Sequence, residues 1–167
     1  STLYHVAEGA QADLICLGKA LGGGLPISVC LGREEVMAAW GDPGGEAIHT
    51  STFLGNPLAC AAALAVLGEL QKSDVGAQAL ERGAKLSAAL SAIEGVRVRG
   101  TGLLVGVEVG SPERVLWLTR ALLERGYITS PGGSPPSVLC LTPPVCITDA
   151  IIEHFAASLR DALREAP

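Results

Sequence analysis

The sequence predicts an α/β fold, and three observations carry that prediction. Short apolar runs that end at glycine alternate with helix-length stretches along the whole chain. Polar residues followed by Pro or an acid mark helix starts at Asn56-Pro57, Ser111-Pro112-Glu113 and Thr148-Asp149. The composition is that of a packed domain: 49% of the 167 residues are apolar and 17% are charged, against about 25% charged in an average soluble domain. Gly and Pro, at 21 and 10 residues, fall short of a low-complexity tract, which argues against disorder.

In chain order, Leu14–Leu17 reads as a buried strand stopped by Gly18, and Ile27–Leu31 as a second stopped by Gly32. Arg33–Trp40 is a short helix closed by Gly41, and 41–45 is a Gly/Pro loop. The helix opened by Asn56-Pro57 runs to about Gln71; it is apolar on all sides, and is expected to be buried and closely packed. From Val75 to Leu90 charges return on one face of a helix, and Gly95 ends that region. Val96–Val109 holds two strands split by Gly100-Thr101-Gly102. A helix from Ser111 to Gly126 follows, then strands at Tyr127–Thr129 and Val138–Leu141 around a Pro/Gly loop. The last helix places Ile151, Ile152, Phe155, Leu159 and Leu163 on one side. A domain boundary is expected between 71 and 75, where the apolar helix ends and charge returns.

Composition also narrows function. Twelve basic against seventeen acidic residues give a net charge of −5 with no Lys/Arg-rich block, which argues against a nucleic-acid or anionic-membrane binder. The longest apolar run, 58–67, is ten residues, and a membrane span needs about 18. No basic-then-apolar leader opens the chain, so no signal peptide is expected. The five cysteines, 16, 30, 60, 140 and 146, are odd in number and lack a C-x-x-C pair; they suit buried thiols in a reducing cytoplasm. The chain begins with Ser1 and is expected to be a piece of something longer.

Two segments carry the chemistry. In Ala12-Asp13-Leu14-Ile15-Cys16-Leu17-Gly18-Lys19-Ala20-Leu21-Gly22-Gly23-Gly24, a strand delivers one lysine into a glycine-rich turn. An amine at a strand end with apolar sequence behind it can be desolvated for attack on a carbonyl, and glycines let a bulky ligand approach the backbone. A Walker loop is excluded, because it places Lys after the glycines and follows it with Ser/Thr. Taken singly, such a lysine is most often a surface residue. In His49-Thr50-Ser51-Thr52-Phe53-Leu54-Gly55-Asn56-Pro57-Leu58, hydroxyls precede a capped helix start, a place to bind an anion or simply an ordinary capped loop.

Together, in this order and spacing, the two segments resemble the class III aminotransferases, the pyridoxal-phosphate family of ornithine, acetylornithine and omega-amino-acid transaminases. The tail Leu139-Cys140-Leu141-Thr142-Pro143-Pro144-Val145 is similar to that family's C-terminal Pro-Pro segment. The resemblance implies the type I pyridoxal-phosphate fold, with 1–74 the C-terminal part of the large cofactor-binding domain and 75–167 the small α/β domain. It implies transamination between an amine or amino acid and a keto acid, with Lys19 bonded to the cofactor aldehyde as a Schiff base and then shuttling a proton. Thr52 matches the threonine that binds the cofactor phosphate from the neighbouring subunit of a homodimer, and Ser51 assists it. His49 reads as a loop hydrogen-bonder.

The sequence departs from the family in two respects. The acid that pairs with the pyridine nitrogen, the upstream phosphate loop and the stacking aromatic find no match before Lys19; the acids there are Glu8 and Asp13, and Asp13 matches a structural position. The chain is therefore expected to be the C-terminal portion of such an enzyme, inactive alone. Members that bind an α-carboxylate often place Arg two residues before the Thr-Pro-Pro segment; Cys140 stands there, so a bidentate clamp is missing. An aminomutase or racemase on the same scaffold, or a truncated chain without function, remains open. Cys140 and Cys146 read as packing, Glu34, Glu35, Arg97 and Arg99 as solvated faces, and Trp40 and Trp117 as core or interface.

Overall fold

The computed structural model describes residues 9, 11–41, 44–45 and 49–166; Glu8 and part of the 41–45 loop lie outside the described residues. Two compact units divide the chain, Ser1–Asp74 and Val75–Pro167.

In the first unit, β1 (Leu14–Leu17) pairs antiparallel with β2 (Val29–Gly32) in the register Leu14↔Gly32 to Leu17↔Val29. A Cβ on Gly32 would collide with Leu14 and Met37, so glycine lets the short helix α1 (Glu34–Met37) fold back on the strand pair. A 3-10 turn, Ala38–Trp40, completes that helix. Helix α2 (Pro57–Lys72) begins where Asn56 Oδ1 accepts the Leu58 N–H at 3.0 Å and the Ala59 N–H at 3.2 Å, with Pro57 where no N–H is needed. Its Ala59 and Ala63 are buried, but Leu58, Leu64 and Leu67 are exposed. The expectation of an enclosed helix is therefore corrected, since one face packs and the others carry leucine outward. The strands too were expected to be buried; β1 instead alternates exposed and half-buried residues, as a strand pair covered on one face does.

The second unit is a four-stranded antiparallel sheet with three helices. Its strands are β3 (Arg97–Thr101), β4 (Leu104–Glu108), β5 (Ser130–Gly132) and β6 (Val138–Leu141), in the order β3-β4-β6-β5. The pairing Val105↔Leu141 and Val107↔Leu139 aligns four buried side chains on one face. Onto the sheet pack α3 (Val75–Ser91), α4 (Pro112–Glu124) and α5 (Asp149–Glu165), contributing Leu86 and Leu90, Leu118 and Leu122, and Phe155 and Leu159. Each fully buried leucine contributes about 1.5–3 kcal/mol. Ser111 Oγ accepts the Arg114 N–H at 3.2 Å and Thr148 Oγ1 the Ile151 N–H at 3.4 Å, the caps expected from sequence. Arg97 and Arg99 pair with Glu108 at 3.7 and 3.1 Å on the solvated face. Trp117 packs against the core, whereas Trp40 in the first unit is exposed.

The expected strand at Tyr127–Thr129 lies three residues further on, at Ser130–Gly132. Register with β6 sets it, Ser130 opposite Cys140, and Pro131 is tolerated because β5 is an edge strand. Among the described residues no helix is long and apolar enough to cross a membrane.

Candidate active site

Lys19 sits where β1 stops. Gly18 leaves the strand extended, and Lys19 then enters the left-handed region at φ 51, the one non-glycine residue with positive φ among those described. This conformation costs an L-residue about 1–2 kcal/mol, so the surroundings must hold it. Leu21 N–H donates to Gly18 C=O at 3.1 Å, Gly23 N–H to Ala20 C=O at 3.1 Å, and Leu25 N–H to Gly22 C=O at 3.0 Å. Gly22 is buried, and a Cβ there would lie 3.0 Å from Ile27 Cγ2; a Cβ on Gly23, at φ 57, would lie 3.3 Å from Val66 Cγ2 of α2. The returning chain and α2 thus press on the glycine turn and fix the lysine backbone. The Lys19 ammonium is exposed and has no hydrogen-bond or ion-pair partner among the described residues.

Ser51 and Thr52 lie in the turns that lead into α2. Leu54 N–H donates to Ser51 C=O and Asn56 N–H to Phe53 C=O, both at 3.1 Å. Both hydroxyls are exposed and without a partner among the described residues. Ser51 lines a cavity of about 570 Å³ with Ile27, Ser28, Asn56 and Cys60; neither Lys19 nor Thr52 lines it. The structure therefore brings Ser51 against the chain returning from the glycine turn, and does not join Lys19 to Thr52. Phe53 and Leu54, beside the hydroxyls, are 72% and 63% exposed. His49 stands edge-on to Trp40, ring centroids 6.3 Å apart at 79°.

Reading the sequence missed the left-handed lysine and its two braces, Ile27 and Val66. Three successive glycines signalled unusual backbone but not which neighbours press on it. It also missed Arg82 of the second unit, whose guanidinium donates to Val145 C=O and pins the Pro143-Pro144 segment. Cys140 and Cys146 line an apolar cavity of about 440 Å³ with Tyr127, Ile151 and Phe155. His154 does not line that cavity and its ring is engaged by the Tyr127 hydroxyl, so packing remains the reading for Cys140. The expectation of buried thiols is corrected for Cys16, Cys30 and Cys146, which are exposed.

A family model described as Aminotransferase class-III matches residues 2–163. The chain belongs to the class III aminotransferases. The acetylornithine aminotransferase of Methanopyrus kandleri is 40% identical over 94% of this chain and 39% of its own length. The ornithine aminotransferase of Emericella nidulans is 33% identical over 99% of this chain and 37% of its own. Among solved structures, the Plasmodium falciparum ornithine delta-aminotransferase superposes with a TM-score of 0.79 at 33% identity, covering 97% of this chain and 42% of that one. This class III chain thus spans about two fifths of the length of the curated relatives it matches. Its mixed α/β units share the type I pyridoxal-phosphate transferase fold with those structures.

Proposed function

We propose that the protein carrying this sequence is a pyridoxal-phosphate-dependent aminotransferase, with Lys19 as the residue that bonds the cofactor. The observation that carries this reading is the Lys19 backbone: left-handed, at a strand end, braced by glycines, with its ammonium unpartnered among the described residues. Strain of this kind persists only where the surroundings over-determine it, and it concentrates at functional sites. The protein moves an amino group between an amine or amino acid and a keto acid. Relatives named for ornithine and acetylornithine favour a donor with a terminal amine.

When bound, pyridoxal phosphate supplies an aldehyde carbon and a ring that takes up electrons. The residues present fit its two ends: a free amine at Lys19, and free hydroxyls at Ser51 and Thr52 that donate to phosphate oxygens. Once the substrate amine takes its place, Lys19 Nζ would take the proton from the substrate carbon that bears the amine and deliver it to the carbon that came from the cofactor aldehyde. Asp13 is committed to Arg33 at 3.4 Å and serves structure, not the ring nitrogen.

Residues 1–74 form part of the large cofactor domain and 75–167 the small domain. Thr52 serves the neighbouring subunit of a homodimer; the exposed Phe53, Leu54 and Leu58 beside it supply apolar surface for that contact. Five free thiols support a cytoplasmic location.

The test is amino transfer from a panel of amines to pyruvate and 2-oxoglutarate. The wild-type protein turns over and Lys19→Ala does not; equal turnover, or a shift of the amino group without a keto acid, overturns the reading. Mixing Lys19→Ala with Thr52→Ala chains restores about a quarter of the sites if Thr52 crosses the dimer. No recovery after confirmed subunit exchange places Thr52 in its own subunit's site.

A further inference from the structure

We draw no further inference here: the strongest candidate, the apolar cavity of about 440 Å³ in the second unit lined by Thr129, Cys140, Pro143, Ile151 and Phe155, carries nothing, because the chain spans about two fifths of the length of its curated relatives and nothing in the structure shows what covers that opening.

Discussion

Replacing Gly23 by alanine probes whether the glycine turn holds Lys19 in place. Gly23 has φ 57, and an added Cβ would lie 3.3 Å from Val66 Cγ2. The left-handed conformation costs alanine about 1–2 kcal/mol, and squeezing a methyl against a packed neighbour costs about 1 kcal/mol more. The expected loss is about 2–3 kcal/mol, read by urea unfolding. Val66→Ala in the Gly23→Ala background relieves the contact but not the backbone strain, so a double-mutant cycle returns about 1 kcal/mol of coupling. Gly24→Ala, at φ 102 with open space around its Cβ, loses stability through backbone strain alone and shows no coupling to Val66. If the turn shifts by about 1 Å, turnover at Lys19 falls by about a hundredfold. A Gly23→Ala protein with wild-type stability and turnover would refute the account of the brace.

Leu90→Ala empties a fully buried position of the second unit and is expected to cost about 2–5 kcal/mol in urea unfolding. Asn56→Ala removes the acceptor of the Leu58 and Ala59 N–H groups and is expected to cost about 1 kcal/mol, with Asn56→Asp near neutral. The Glu113 carboxyl is held below the usual carboxylate range by its own backbone N–H and then by Ser111. A lowered folded value gives stabilisation that is present above the ordinary carboxylate pKa and lost as pH falls through the folded one. Glu113→Gln is thus less stable than wild type at pH about 7 and equal to it at about pH 2; a difference that does not change with pH contradicts the assignment.

Much of the fold was legible because its signals are local. Asn56-Pro57, Ser111-Pro112 and Thr148-Asp149 each satisfy orphan N–H groups within four residues, so the caps fall where the sequence places them. The edge strand was misplaced because pairing with β6, not the apolarity of Tyr127–Thr129, decides where β5 lies; Ile128 is in fact 92% exposed. The exposure of α2 was illegible for a related reason: an all-apolar helix announces that it wants cover, not which residues supply it. At the candidate site, residue types and order pointed to Lys19, Ser51 and Thr52. The left-handed turn and the bracing by Ile27 and Val66 arise from packing across sequence distance, which no local pattern encodes.

The most direct test of the central claim is the position of the covalent label after borohydride reduction of the protein loaded with pyridoxal phosphate. Reduction is expected to fix the pyridoxyl group on Lys19 Nζ at about one per chain, found in the peptide that spans Lys19 and absent from Lys19→Ala. A label found instead on Lys72 or Lys85, or spread evenly over the lysines, would contradict it.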